Sequence, residues 1–280
     1  MFGRLLILLL AVLPKHFMSH VAGALASLPV PTFLRPTVFK GYSRIFGARP
    51  EEAEHPLTEY GSINKFFTRA LKPGLRPVAE NALVSPVDAA VGAWGPVAND
   101  TMYQAKGRTY ALSGLLGDKA LAEEMDGGSY TTLYLAPKDY HRIHIPVDGV
   151  ITSATYIPGK LWPVNVAAVT HVADLFAVNE RIVVEIRRPN GGVMAVVAVG
   201  ATMVGMTRLV FDAIHTNARA RKLERRTYSP PLPVKAGAPL GHFEFGSTVI
   251  LACSPTCGVI ETLQVGHTVK MGQRLGPLAS

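Results

Sequence analysis

Apolar positions along this chain follow three different rhythms. Residues 5–13 are an unbroken run of nine apolar residues, preceded by Arg4 and stopped by Pro14, Lys15 and His16. A helix that spans a bilayer needs about 20 such residues, so this run does not cross one alone. A second apolar stretch, residues 17–30, is broken by His20. Together they predict short helices lying in the plane of a membrane interface, with Lys15 and His16 toward the head groups. Two other readings stay open. One is a secretory signal peptide with Ala24-Leu25-Ala26 as its cleavage site; the other is a buried core helix. Residues 31–57 carry Pro31, Pro36, Pro50 and Pro56 and read as a linker with one or two short helices. Ser62 then caps a helix on which Ile63, Phe66, Phe67, Ala70 and Leu71 share a face, and Pro73-Gly74 stops it.

From Ala82 the rhythm shortens to that of strands. Runs rich in Val, Ile, Thr and Tyr at 130–136, 149–157, 181–187, 193–204 and 247–253 alternate with turn signals such as Val147-Asp148-Gly149 and Pro189-Asn190-Gly191-Gly192. One short helix is expected near 113–121. The fold class is therefore α+β and predominantly β: a barrel or sandwich-like core with membrane-associated helices at the N-terminal end. The chain divides into residues 1–57, a membrane-associating segment and linker, and 58–280, a catalytic domain. Internal repeats and low-complexity tracts are absent, and the Gly-rich stretches lack the strand–turn–helix spacing of a phosphate-binding loop.

Composition narrows the partners. Hydrophobic residues make up 48% and charged residues 17%, with a formal charge of +8. Such a chain suits either nucleic acid or an anionic membrane; two tryptophans and scattered tyrosines do not make the aromatic, basic surface of a nucleic-acid binder. The basic cluster Arg219, Arg221, Lys222, Arg225 and Arg226 reads equally well as a solvated face. Cys253 and Cys257 are too few for a disulfide scaffold and read as ordinary residues, with no metal site.

Taken alone, Gly246-Ser247-Thr248 reads as an ordinary turn or strand start, but the tripeptide can also carry chemistry. A serine hydroxyl can attack the carbonyl of the preceding residue and form an ester, and glycine there lets the peptide bend. Elimination of the ester leaves dehydroalanine, and hydrolysis gives a pyruvoyl group and ammonia. The products are chains 1–246 and 247–280, the second carrying the ketone. Thr248 can hold the bend by a local hydrogen bond. Self-cleavage needs a base and an orienter for that base. The segment Tyr140-His141-Arg142-Ile143-His144 offers two of the nine histidines, and Ser85-Pro86-Val87-Asp88 offers a carboxylate in a turn. In a strand, His141 and His144 would face opposite sides, so both reach one site only from a loop or bulge.

These blocks, in order, resemble the phosphatidylserine decarboxylase family of the bacterial and mitochondrial kind. The resemblance runs from about residue 58 to 276 and rests on Asn64-Lys65-Phe66-Phe67-Thr68-Arg69, Arg76-Pro77, Ser85-Pro86-Val87-Asp88, Tyr134-Leu135-Ala136-Pro137-Lys138-Asp139-Tyr140-His141-Arg142-Ile143-His144, Leu175-Phe176-Ala177-Val178-Asn179-Glu180-Arg181 and Phe243-Glu244-Phe245-Gly246-Ser247-Thr248. It implies a covalent pyruvoyl cofactor derived from Ser247, with Gly246 as the new C-terminus and Asp88, His144 and Ser247 as the relay of self-cleavage. It implies that His141 is the proton donor in decarboxylation of phosphatidylserine. It also implies a heterodimer of the two fragments, possibly in a higher oligomer, held peripherally at the cytoplasmic face of the cell membrane. Ala89 stands where the family usually has Gly, so the turn must avoid positive φ there; Phe245 stands where Leu is common. Two alternatives remain: a basic lipid-binding β module without chemistry, and a pyruvoyl decarboxylase of another amino-acid-like substrate.

Overall fold

All seven residues of Val193–Val199 are buried, which a strand achieves only when both faces of its sheet are covered. In the computed structural model, which describes residues 14–105, 108–202, 206–217, 222–244, 247–261 and 263–280, this strand sits inside a large antiparallel sheet. The helices are α1 (Lys15–Ala26), α2 (Arg35–Phe46), α3 (Ile63–Phe67), α4 (Leu112–Leu116), α5 (Lys119–Glu124), α6 (Val166–His171) and α7 (Leu175–Val178). The strands are β1 (Ala82–Val84), β2 (Ala89–Pro96), β3 (Thr101–Ala105), β4 (Arg108–Ala111), β5 (Ser129–Leu135), β6 (Arg142–His144), β7 (Gly149–Ile157), β8 (Arg181–Arg187), β9 (Val193–Val199), β10 (Met206–Leu209), β11 (Glu224–Val234), β12 (Pro239–Glu244), β13 (Ser247–Cys253), β14 (Thr268–Val269) and β15 (Arg274–Pro277).

Eight strands pair in the order β11-β7-β8-β9-β13-β5-β2-β14, three in the order β10-β12-β6, and β1 pairs with β15. Side chains alternate across the large sheet. Met194, Val196 and Ala198 pack with Ile143, Leu240 and Phe243 of the three-stranded sheet and with Leu83 and Leu275 of the β1-β15 pair. Ala195, Val197 and Val199 pack with Leu112, Leu115 and Phe176 of the helical layer and with Met102 and Tyr110 of the β3-β4 hairpin. The result is an open sandwich rather than a closed barrel, and the α+β, mostly β class holds. The edge strand β11 carries Pro230 and Pro231 where its register breaks between Thr227 and Leu232, a position that tolerates residues without an N–H.

Three boundaries differ from the sequence pattern. The helix expected from Ser62 through Leu71 ends at Phe67, and Ala70 and Leu71 instead run extended beside residues 52–54, with Glu54 N–H donating to the Ala70 carbonyl. The helix expected at 113–121 is two, because Gly117 takes a left-handed φ of 65° after α4 and Asp118 starts α5 by accepting from Leu121 N–H. The run 193–204 leaves the sheet at Val199, where Gly200 donates to the Glu180 carbonyl instead. Cys253 and Cys257 are separate buried thiols. Arg225 pairs with Asp118, and Arg226 with Asp212 and Glu224; Arg219 and Arg221 lie outside the described residues, as do residues 5–13.

The N-terminal helices form their own cluster. Phe39 and Tyr42 of α2 pack with Ala53, Tyr60, Phe66 and Phe67, and Ser62 caps α3 by accepting from Lys65 N–H at 3.2 Å. The orientation of α1 corrects the sequence expectation. Lys15 and His16 turn toward the protein: the Lys15 ammonium lies 4.2 Å over the Trp162 ring, and His16 Nε2 is 3.2 Å from the Gly159 carbonyl oxygen. Lys15, Ser19 and Ala26 are the buried positions of α1, spaced as one helical face. Phe17, Val21, Leu25 and Leu28 point outward, joined by Phe33 and Ile45 at 80% and 77% exposure. No described helix is long and apolar enough to cross a membrane.

Candidate active site

One end of the large sheet gathers the candidate residues. Ser247 opens β13 opposite Leu135, the last residue of β5, and Thr248 lies between Tyr134 and Val199. Ala90, near the start of β2, also faces Tyr134. From this end the chain leaves the large sheet for the small one through residues 136–141, and β12 returns from the small sheet to β13. The first connection is tied to β12: Phe243 N–H donates to the His141 carbonyl at 2.9 Å, and Gly241 faces Ile143. The Ser85–Asp88 turn joins the same corner, since His144 N–H donates to the Pro86 carbonyl at 2.9 Å. Phe245 and Gly246 lie outside the described residues, and of Ser247 only the backbone is described.

His144 is held at both nitrogens. Nδ1 is 2.8 Å from the Gly237 carbonyl oxygen, which can only accept, so Nδ1 carries the proton. Nε2 then accepts from the Tyr140 hydroxyl at 3.1 Å. Gly237 has a φ of +81°, and a Cβ there would meet Val78 Cγ2 at 2.5 Å, so the turn that presents this carbonyl is built for glycine. Burial holds the His144 pKa below the ordinary imidazole value, opposed by the Gly237 carbonyl and the Asp88 charge.

His141 precedes β6, so the strand's alternation does not extend to it. It is fully buried. Nδ1 donates to the Asp139 carbonyl at 2.8 Å, and the ring packs on Phe67 with centroids 3.9 Å apart. Nε2 is buried without a hydrogen-bond partner among the described residues. Burial lowers the pKa to about 3, so at neutral pH this is a neutral imidazole with an unused lone pair.

Asp88 does not hydrogen-bond to His144. Arg76 clamps it from Nε at 2.9 Å and Nη2 at 2.6 Å, Lys270 Nζ lies at 3.0 Å, and Met271 N–H donates at 2.9 Å. Arg76 also reaches Glu52 at 2.7 Å. Burial alone would raise the Asp88 pKa, but Arg76, Met271 N–H and Lys270 hold it below the ordinary carboxylate value. Its influence on both imidazoles is through space. Ala89 begins β2 without positive φ, so the turn does not need the family's glycine. Thr248 Oγ1 is buried with no partner among the described residues; residues 245 and 246, beside it in the chain, lie outside them.

An apolar cavity of about 630 Å³ opens at this end of the sheet, lined by Leu25 and Ala26 of α1, Phe46 of α2, Leu135 and Pro137 after β5, and Val164. Leu135 is the residue paired with Ser247. Sequence reasoning did not find Tyr140 or Gly237 as partners of His144, nor Arg76 and Lys270 as partners of Asp88. A Lys-Ala-Gly turn signal marks Gly237; Lys270 carries no local signal.

A profile of the phosphatidylserine decarboxylase family matches residues 63–277, a span that includes Asp88, His141, His144 and Ser247. A protein of Anaeromyxobacter is 45% identical over 99% of both chains, one of Myxococcus xanthus 43% over 96% of both, and one of Pseudomonas fluorescens 38% over 98% of this chain and 97% of its own. Each is named phosphatidylserine decarboxylase proenzyme. Fold, site and relatives define the class, a predominantly β decarboxylase. The chain belongs to the phosphatidylserine decarboxylase family.

Proposed function

We propose that this chain is a zymogen that cleaves itself between Gly246 and Ser247 and then decarboxylates phosphatidylserine to phosphatidylethanolamine at a membrane surface. The observation that carries the reading is the corner itself. Two neutral imidazoles, each with Nδ1–H fixed on a backbone carbonyl, come from the segment that runs beside the start of β13.

His144 is the base of self-cleavage in this reading. Its Nε2 lone pair takes the Ser247 hydroxyl proton once the Tyr140 hydroxyl moves aside, and the Asp88 carboxylate stabilises the imidazolium through space. A pyruvoyl group at position 247 supplies an electron sink for loss of carbon dioxide from an α-amino acid. The buried, unpartnered Nε2 of His141 fits such a site: it is free to exchange a proton with the substrate carbon. As a neutral group it must first gain that proton, and an entering anionic substrate favours the gain by raising its pKa. The fragments stay together as a heterodimer, because β13 is an inner strand between β9 and β5, and β14 and β15 pair with β2 and β1.

The apolar cavity beside Leu135 favours a lipid over a small amino-acid-like substrate. The outward apolar face of α1 supports peripheral attachment, and a net charge of +8 favours the anionic cytoplasmic leaflet. Intact mass under denaturing conditions tests the reading. Two fragments, the smaller starting at 247 and ketone-blocked, with Ser247→Ala staying whole, are expected. A wild-type chain that remains single on long incubation removes the cofactor and the enzyme with it.

A further inference from the structure

A second cavity, of about 480 Å³, lies on the other side of the small sheet's chain path and has the opposite chemistry. Lys65, Arg69, Arg142 and His242 line it, with Glu54 and Glu59. Arg142 and His242 face each other across β6 and β12, while their neighbours Ile143 and Phe243 point into the core. The glutamates lie beside His55, 3.6 Å from its two ring nitrogens. Among the described residues, none of the three cations is within ion-pair distance of a carboxylate. Arg142 spends only Nε, donating to the Thr68 carbonyl at 3.0 Å. Arg69 is 3% exposed, its guanidinium lies 4.9 Å over the Phe66 ring, its Nη1 donates to the Phe66 carbonyl at 3.3 Å, and its Nε is buried without a hydrogen-bond partner among the described residues. A buried guanidinium with an unsatisfied donor is costly unless an anion joins it. The positive field is felt by His242, whose pKa is lowered by burial and then, against Glu244, by Arg142, Arg208 and Lys65.

We propose that this cleft binds an oxyanion of the phosphate class through Arg69, Arg142 and Lys65. Guanidinium forks match phosphate oxygens two at a time, and the lysine adds a mobile point charge. Two sources carry this chemistry, the phosphodiester of a phospholipid head group and free inorganic phosphate. The first rests on the lipid reading above, and Arg142, next to His141 in the chain, would then tie head-group binding to the catalytic corner. The second does not depend on it.

Calorimetric titration of the full chain tests this without turnover. The probes are inorganic phosphate and dihexanoyl-phosphatidylglycerol below its micelle concentration, a phosphodiester with no amine to react. Saturable one-to-one binding is expected, weakened about tenfold in Arg142→Gln and about threefold in Lys65→Gln, charge-assisted contacts of unequal geometry. Arg69 is left intact because its burial makes a folding defect the ready outcome. Tighter binding of the diester assigns the site to a head group, and tighter binding of phosphate assigns it to the free ion. Absence of saturable binding by either probe, or unchanged affinity in both folded variants, overturns the site. Binding by a chain that never cleaves would remove the proposed function and leave the cleft standing.

Discussion

The segment 134–144 passes from one kind of surface to its opposite. Tyr134, Leu135 and Pro137 line a cavity walled by apolar helices, while Arg142 lines a charged cleft in which Lys65, Arg69 and Arg142 have no carboxylate partner among the described residues. His141 and His144 belong to the same stretch. A phospholipid has the same division, acyl chains at one end and a charged head at the other, so the contrast teaches how one short segment can present reactive groups at the junction of a lipid. The two histidines repeat the contrast at smaller scale. Both are neutral with Nδ1–H on a carbonyl, yet Nε2 of His144 is engaged by Tyr140 and that of His141 has no hydrogen-bond partner among the described residues.

The sharpest way to break this comparison is to remove each imidazole separately. His144→Ala is expected to abolish cleavage, leaving one 280-residue chain by intact mass. His141→Ala is expected to cleave and then to turn over phosphatidylserine about 10²–10⁴-fold more slowly, the usual share of a general acid. Equal cleavage and equal turnover in the two variants would mean that the difference at Nε2 has no chemical consequence.

The burial of His141 also sets a pH dependence. Its folded pKa is about 3, against about 6.5 unfolded. The unfolded chain therefore binds the proton first as pH falls, so stability is complete above about pH 6.5 and is lost progressively toward pH 3. Between pH 6.5 and 4.5 this amounts to about 2 kcal/mol, because the slope reaches about 1.4 kcal/mol per pH unit only well below the unfolded pKa. Urea midpoints of wild type and His141→Gln are expected to converge at low pH by that amount; parallel pH curves would show that the ring is not held neutral.

Much of this architecture was legible because the period of the sequence is the period of the backbone. The strands Gly149–Ile157, Arg181–Arg187 and Ser247–Cys253 fall on their apolar runs, and Ser62 caps its helix. Legibility failed where a residue's partner is distant. Lys15 and His16 looked like interfacial charges when read singly, but Lys15, Ser19 and Ala26 share one face that packs on the protein. Asp88 suggested a relay to a histidine; its cations come from residues 76 and 270, which no local pattern connects. Gly237 orients His144 through a carbonyl, a group every residue has, so side-chain type could not announce it.

The apolar side of the comparison can be weakened without touching the corner. Phe17 is 66% exposed on the outer face of α1. If that face rests in lipid, Phe17→Ser removes a side chain whose burial is worth about 1.5–3 kcal/mol, and vesicle binding is expected to fall about 10–100-fold in a flotation assay. Unchanged binding would place the face in water.

The smallest effect separates two cations on one carboxylate. Arg76 and Lys270 both hold Asp88, but their side chains are 9% and 46% exposed. Arg76 lies in what would become the 1–246 fragment and Lys270 in the 247–280 fragment, so only the second bond crosses the proposed cut. Water screens the Lys270 pair, and such exposed pairs contribute about 0.2–1 kcal/mol. The Met271 N–H bond to Asp88 and four strand pairings, β13 with β5 and β9, β14 with β2 and β15 with β1, cross the same boundary. Lys270→Gln is therefore expected to lower the unfolding free energy from urea titration by less than about 1 kcal/mol and to leave the fragments together on gel filtration, because backbone pairing and not this charge retains the smaller fragment. Dissociation of the fragments in that variant would reverse the ranking and make the exposed ion pair the clasp of the mature enzyme.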